Sequence, residues 1–357
     1  MTAFYDVKKY SVCITIVYKI VLKIAIILIP FFYTFVILYP TMKLQRRTFL
    51  KQIFMAGTAI AATGSNILPS FAKSKTIKIT ILHTNDVHSR IEPFPMDGSK
   101  AQGLGGFARR ATLVKQIRAT NPNVLLLDSG DIIQGTPYFN FYGGELEIKL
   151  MNKLGYDACT IGNHDFDGGI EGLDKMIKMA NFPFLCANYD FQHNIINGKV
   201  KPYKVFVKQG VRIGVFGLGI QLDGLVADKM YAKTIYLDPI KKANETAKIL
   251  REKEKCSLVI CLSHLGNFPR IDNEICDPYL AKHTNNIDLI IGAHTHTFMD
   301  KPAIYKNANG DEVLVFQVGW AGINLGRVDF EMDSMGKKQS HTACALQIND
   351  TIAETQI

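Results

Sequence analysis

The sequence is poor in the features that mark a disulfide scaffold or a cysteine-rich zinc fold. It holds seven cysteines in 357 residues, and none pairs with another in a Cys-x-x-Cys motif. Three of them, Cys159, Cys186 and Cys261, lie in apolar runs typical of strands, which predicts buried, reduced thiols. Internal repeats and low-complexity segments are also missing, so the hydrophobic fraction of 47% indicates an ordinary globular core.

Positive and negative charges nearly balance over most of the chain. The net charge is +9, but eight of the 41 Lys and Arg residues and one of the 32 Asp and Glu residues precede residue 73. The remainder therefore holds 33 basic and 31 acidic residues. Because the basic excess belongs to the leader, the charge predicts no nucleic-acid polymer as a partner.

Residues 42–72 have the composition of an export signal. The stretch 46–51 (RRTFLK) resembles the core of a twin-arginine signal, and a weakly apolar run over 53–68 follows it. Ser70 and Ala72 then offer small side chains at the −3 and −1 positions of a cleavage site. We expect a bacterial protein exported to the periplasm or cell envelope, with an ordinary buried helix as the alternative.

Residues 1–41 form a separate hydrophobic segment with two interpretations. Their apolar run over 24–38 is short for a membrane span. Translation beginning at Met42 would make the segment upstream sequence, and the alternative is a membrane anchor. A membrane is therefore a partner only if residues 1–41 are translated as part of the protein.

From Lys73 onward the pattern alternates strands and helices and predicts packed sheets with helices outside. We assign a domain to residues 73–335 and a polar, frayed tail to 336–357. The run 77–81 alternates apolar and polar residues as a half-buried strand does. Further strands are predicted at 124–127, 158–161, 184–187, 205–207, 213–218, 258–262, 289–291, 313–318 and 325–330, and helices at 107–117, 146–154, 170–180 and 239–254.

Seven side chains that can bind metals follow these strand-like runs in five short clusters, which contain five of the nine histidines. Each cluster alone is weak, because a solvated loop pair, a turn aspartate or a structural histidine is the commoner explanation. Their joint occurrence at strand ends favours a two-metal site, which is the kind that hydrolyses phosphate esters. The seven are Asp86, His88, Asp131, Asn163, His264, His294 and His296.

Two of these clusters contain a pair of side chains separated by one residue, Asp86 with His88 and His294 with His296. Two residues apart on an extended segment, both side chains point the same way and can share one ion. Asp131 follows a glycine at a sharp turn, where one carboxylate can bridge two cations.

The segment 162–167 (GNHDFD) adds groups suited to catalysis. Asn163 can give an amide oxygen to a metal, and His164 can donate a proton or stabilise charge on a phosphoryl group. Asp167 can hold the His164 ring and favour its charged form. The alternative is a capped helix start, and both can hold at once.

Taken together, the motifs resemble the metallophosphatase domain of the 5′-nucleotidase family, within the calcineurin-like phosphoesterases. The resemblance covers residues 76–332 and implies a single α/β domain with a two-sheet β-sandwich flanked by helices on both outer faces. It rests on the segments 83–89 (HTNDVHS), 128–131 (DSGD), 162–167 (GNHDFD), 263–266 (SHLG) and 292–296 (GAHTH).

The same resemblance assigns residue roles. His164 and Asp167 would be the catalytic pair, and Asn163 would bind substrate as well as metal. One metal would be held by Asp86, His88, Asp131 and His296. The other would be held by Asp131, Asn163, His264 and His294, with Asp131 as the bridge.

Full-length members of this family carry a second, C-terminal domain whose aromatic rings stack on the nucleobase. The present sequence ends 25 residues after Met332. We therefore expect the phosphate chemistry without that base-recognition part, unless a separate polypeptide supplies it.

The expected activity is release of phosphate from 5′-nucleotides or related phosphomonoesters by in-line attack of a metal-bound hydroxide. Mixed nitrogen and oxygen ligands favour Mn, Zn, Fe or Co as the two divalent ions. A cyclic-nucleotide phosphodiesterase or a nucleotide-sugar hydrolase would use the same centre. A metal-bound subunit that is inactive without a partner chain is the alternative of another class.

Overall fold

The computed structural model of the protein describes residues 76–272 and 274–356. The predicted leader 42–72, the segment 1–41 and Cys13 lie outside these residues. The described part belongs to one compact unit, Ala72–Ile357. Within it, no helix combines the length and apolar character that crossing a membrane requires.

Two large sheets form the centre of this unit. The first has five strands in the order β13-β12-β1-β2-β3, and the second has six in the order β10-β11-β9-β8-β6-β5. A small third sheet pairs β4 with β7. The strands are β1 Ile77–Thr84, β2 Val124–Asp128, β3 Ala158–Cys159, β4 Tyr189–Asp190, β5 Tyr203–Lys208, β6 Val211–Leu218, β7 Ile235–Tyr236, β8 Leu258–Ser263, β9 Leu289–Ile291, β10 Ala303–Lys306, β11 Glu312–Phe316, β12 Asn324–Met332 and β13 Lys338–Gln347.

Helices cover the outer faces of both large sheets. They are α1 Phe107–Thr120, α2 Pro137–Tyr142, α3 Glu145–Leu154, α4 Gly169–Met179, α5 Asp228–Tyr231, α6 Pro239–Glu252 and α7 Asp277–His283. The outer face of the first sheet packs on α1, α3 and α4, and that of the second packs on α6 and α7. A third apolar cluster lies between the sheets, with Ile81 and Leu127 from one side and Ile260 and Ile291 from the other. The predicted four-layer sandwich is confirmed.

The expected half-buried strand at the start of the domain is wrong. Along β1 both Thr80 and Leu82 are fully buried beside the inward-facing Ile79 and Ile81. Leu82 packs on the helical side, because the sheet is covered on both faces. The Thr80 hydroxyl of this strand accepts a 2.7 Å bond from Asn121 Nδ2, whereas the ring nitrogens of buried His83 make no hydrogen bond within the described residues.

The expected frayed tail is also wrong. Residues Lys338–Gln347 form β13, an edge strand paired antiparallel with β12 over nearly its whole length. Ala343 and Ala345 contact the core between the sheets and Leu346 contacts the core under the helices, while residues 338–342 are polar. An edge strand protected by polar residues has the composition of a loose tail, which is why the composition misled.

Most other predicted elements are present, with ends that differ from the prediction by up to three residues. The helix over 107–117 forms with Phe107, Val114 and Ile117 buried as its spacing predicts. The run 158–161 is a strand only over Ala158–Cys159, and 184–187 makes isolated bridges rather than a named strand. The described cysteines are free thiols and all but Cys344 are buried, which confirms that prediction.

Candidate metal centre

All the predicted metal-binding side chains lie at the carboxyl ends of parallel strands. In the first sheet, β1, β2 and β3 lead into the loops that carry Asp86, Asp131 and Asn163, and in the second, β8 and β9 lead to His264 and His294. Because the two sheets are stacked, their carboxyl edges lie side by side, and one site draws on both.

The first group of candidate ligands, hereafter the Asp86 group, consists of Asp86, His88 and His296. The Nε2 atoms of His88 and His296 lie 3.0 Å apart, and His296 Nε2 lies 3.6 Å from Asp86 Oδ1. The expected extended geometry is wrong, because all three residues have positive φ, of 50°, 52° and 51°. Strained, left-handed turns aim these side chains, and such strain is typical of functional sites.

The second group, hereafter the Asp131 group, consists of Asp131, His264 and His294. His264 Nε2 lies 3.1 Å from Asp131 Oδ2, while its Nδ1 donates a 2.7 Å hydrogen bond to the Ser129 carbonyl. Asn163 joins this group, since its Oδ1 lies 2.9 Å from His294 Nδ1.

Asp131 also reaches the first group, as a shared ligand must. Its Oδ2 lies 3.8 Å from His88 Nε2, and His264 Nε2 lies 4.0 Å from Asp86 Oδ1. The structure thus brings together all seven side chains that the sequence singled out, from five separate stretches of chain.

The donor atoms fit divalent cations better than they fit one another. His264 Nε2 is fully buried and makes no hydrogen bond with any described group. The facing nitrogens of His88 and His296 can share at most one proton at 3.0 Å. A cation near such nitrogens and carboxylates satisfies both kinds of atom, which is the usual reason for burying them together.

Burial sets most of the ionisation in the site. It lowers the pKa of His294 to about 3 and that of His296 to about 4, so both rings are neutral, as ligands must be. Burial also raises the pKa of the Asp86 carboxyl to about 8. For His264, burial lowers the pKa, but the Asp131 carboxylate raises it further, to about 10. A cation would favour the deprotonated form of both Asp86 and His264.

The predicted catalytic pair lies beside the two groups. His164 Nδ1 makes a 2.8 Å hydrogen bond with Asp167 Oδ2, and this bond is the largest cause of a raised His164 pKa. The His164 amide donates to Asp131 Oδ1 at 2.8 Å, which ties the pair to the centre. His164 opens a short 3₁₀ turn, but Asn163 makes no side-chain capping bond there, so the capping interpretation is not supported.

The loop beneath the pair depends on Gly162 and on Asp165, a residue to which the sequence analysis gave no metal or catalytic role. A Cβ at Gly162 would lie 2.1 Å from Asp131 Oδ1, so only glycine allows this approach. The fully buried Asp165 carboxylate accepts backbone N–H bonds from Gly162, Asp131 and Ile132 at 2.8–3.1 Å. Asp165 therefore holds the Asp131 turn in place, an arrangement that needs tertiary contacts to be seen.

Two further residues at the site were missed by the sequence analysis. Arg270 Nη1 lies 2.8 Å from His294 Nε2, which brings a positive charge to the edge of the Asp131 group. The Trp320 ring stacks on His296 with 5.7 Å between centroids and an interplanar angle of 6°. The one available signal for Trp320 was its rarity, since it is the only tryptophan in the sequence.

Comparison with known proteins places the chain among phosphate-ester enzymes. The profile of the calcineurin-like phosphoesterases matches residues 79–298. A snake venom 5′-nucleotidase of Gloydius brevicauda is 33% identical over 303 residues, covering 79% of this chain and 50% of that protein. A 5′-nucleotidase of Vibrio cholerae is also 33% identical, covering 79% of this chain and 54% of the relative.

A solved structure agrees with these relatives. The 5′-nucleotidase precursor from Thermus thermophilus superposes with a TM-score of 0.71 at 31% identity, covering 78% of this chain and 56% of that one. The chain spans about half the length of the curated relatives it matches.

Proposed function

Because the chain belongs to the calcineurin-like phosphoesterase family, we propose that it hydrolyses phosphomonoesters, with 5′-nucleotides and related compounds as substrates. The observation that carries this proposal is the shared edge where two ligand groups meet at Asp131 with the His164–Asp167 pair beside them. Relatives named 5′-nucleotidases support the choice of substrate class.

Two divalent cations would occupy the two groups, with Asp131 shared and Asn163 added to the second. The mixture of imidazole nitrogen with carboxylate and amide oxygen suits Mn, Zn, Fe or Co. When bound, such ions neutralise charge on the phosphoryl oxygens and supply a nucleophile from water at neutral pH.

The chain's own residues would position the substrate and move its proton. His164 binds Asp167 through Nδ1, so Nε2 remains available to donate to the leaving oxygen. Its raised pKa keeps the ring protonated to a higher pH than an ordinary histidine, which suits a general acid. Asn163 next to it would contact the phosphate as well as the second cation.

A substrate panel tests the proposal most simply. Phosphate release would be followed with AMP, 2′,3′-cyclic AMP, a UDP-sugar and an aryl phosphate, each with Mn, Zn, Fe or Co added. Release from AMP faster than turnover of the other natural compounds is expected. Faster cleavage of the cyclic or sugar nucleotide would make that compound the preferred substrate class instead. No turnover of even the aryl phosphate would favour a metal-bound subunit that is inactive alone.

We further propose export through the twin-arginine route, on the strength of residues 46–51. Replacing Arg46 and Arg47 together by Lys should retain the protein in the cytoplasm, and N-terminal sequencing of exported material would identify the mature start. Export of the double variant by the same route would contradict this. Any separate polypeptide that supplies base recognition should co-purify with the chain and lower its KM for AMP.

A further inference from the structure

An aromatic wall borders the metal centre on the side of the Asp86 group. Trp320 stacks on His296, and the Phe94 ring meets Trp320 edge-on with 5.6 Å between centroids and 70° between planes. Trp320 is half-buried, so part of its surface faces outward. The first ring of this wall, Trp320, therefore stacks directly on the candidate metal ligand His296.

Trp320 is tied to the same segment that supplies Asp86. The carbonyl of Gly319, before it, accepts a 2.5 Å bond from Asn85 Nδ2, and the amide of Ala321, after it, donates 2.7 Å to the Asp86 carbonyl. The φ angles of Gly319 and Ala321 are 88° and 55°. Backbone bonds on both sides of the indole fix its position relative to the centre, which lowers the entropy cost of stacking a ligand there.

A cavity of about 400 Å³ opens beyond the indole. Its aromatic lining residues are Trp320 and Phe298, and its polar lining residues are Lys100, Asp300, Asn324 and Gln347. Phe298 is 53% exposed, yet its ring lies so close to Gly319 that a Cβ there would sit 2.3 Å from the ring. An aromatic ring that packs against backbone but is half exposed to solvent offers a surface on which a planar ring can stack.

We propose that this cavity binds the planar aromatic part of the phosphoester substrate, such as a nucleobase, while the phosphate lies at the metal centre. The inference rests on the proposed function and names which part of the chain would recognise the leaving group. Continuity with the metal centre through the His296–Trp320 stack favours this occupant over an unrelated ligand. Base recognition would then come from the same domain that holds the metals.

The single tryptophan makes a direct binding test possible on the full chain. Adenosine carries the base but no phosphate ester, so no turnover confuses the signal. With excitation selective for tryptophan, adenosine should quench Trp320 fluorescence saturably, and ribose at the same concentrations should not. Absence of a saturable response to adenosine, or an equal response to ribose, would overturn the proposal.

Two phenylalanine variants localise the response. Phe298→Ala should weaken adenosine binding about tenfold, the size of one lost base–aromatic stack. Phe268→Ala is the matched control, because Phe268 is 51% exposed and does not line the cavity. Equal weakening in both variants, or unchanged binding in Phe298→Ala, would contradict the assignment.

Kinetics with and without a base complete the test. In Phe298→Ala, kcat/KM for AMP should fall about tenfold while that for ribose 5-phosphate stays unchanged. A parallel fall for both substrates would show a general structural effect and overturn the role in base recognition. If the protein hydrolyses neither substrate, the proposed function fails, while the adenosine titration still decides whether the cavity binds a base.

Discussion

The Asp86 group and the Asp131 group have similar candidate ligands, each with two buried side chains and one partly exposed, but one histidine of each group is held in a different way. His264 of the Asp131 group is fully buried, and a 2.7 Å bond from its Nδ1 to the Ser129 carbonyl fixes which nitrogen faces Asp131. His296 of the Asp86 group has a side chain that is 39% exposed and is held by stacking on Trp320. His264 is thus held by a hydrogen bond inside the protein, and His296 by an aromatic contact near the surface.

This difference has a consequence for metal retention. A hydrogen bond to the second nitrogen of a ligating histidine orients the ring and typically improves metal affinity about 10–100-fold. The ion next to fully buried His264 should therefore be retained on dialysis, and the ion next to partly exposed His296 should exchange more readily. Asp131 belongs to both groups, so its removal should affect the retention of both ions alike.

Asp131→Ala should have the largest effect, because it removes the ligand that the groups share. We expect loss of both ions and of phosphate release, measured by elemental analysis after dialysis and by a phosphate assay. The control is Asp97→Ala, which removes a fully exposed carboxyl group outside the centre. An Asp131→Ala protein that keeps its activity would contradict the bridging role.

His164→Asn should leave both groups intact and remove turnover. Loss of a positioned general acid typically lowers the rate by about 10²–10⁴-fold. The same elemental analysis should give two ions per chain, as in the unchanged protein. Joint loss of metal and activity would instead make His164 part of the metal-holding structure.

Comparing His264→Ala with His296→Ala sharpens the contrast between the groups. The first should release the more tightly held ion and leave Asp131 Oδ2 without the imidazole nitrogen that lies 3.1 Å away. The second should release the loosely held ion, and added metal should restore activity. Metal titration of the two variants measures this, and equal recovery of both would contradict the proposed difference between His264 and His296.

Asp167→Asn should give the smallest effect, a shift of pH dependence with both ions retained. The hydrogen bond to Asp167 is the main cause of the raised His164 pKa, so its weakening should return that pKa toward the ordinary value. A general acid works while protonated, and activity is lost as pH rises through its pKa. The alkaline limb of kcat against pH should therefore move to lower pH, and an unmoved limb would exclude His164 as the titrating acid.

The candidate ligands could be predicted from the sequence because strand ends are local features. An apolar run ended by Asp, Asn or His is visible in one dimension, and the carboxyl ends of parallel strands share an edge. The manner of convergence could not be predicted, since the positive φ values at Asp86, His88 and His296 arise from tertiary contacts. Asp165, Arg270 and Trp320 were missed for the same reason, because each acts through residues far away in sequence.

The fold shows the same division. The pattern predicted the inner strands and the amphipathic α1 and α6, because a buried face leaves a periodic trace. It failed at β13, where an edge strand resembles a polar tail, and at residues 184–187, where an apolar run makes only isolated bridges. The structure resolves both by showing which strands have neighbours.

Diffraction from crystals grown with Mn²⁺, recorded with anomalous signal, would show directly whether five strand ends converge on two cations. We expect two anomalous peaks, one at ligating distance from each group, with Asp131 contacting both. Peaks that lie away from His88, His264, His294 and His296, or a single peak that Asp131 does not contact, would contradict it.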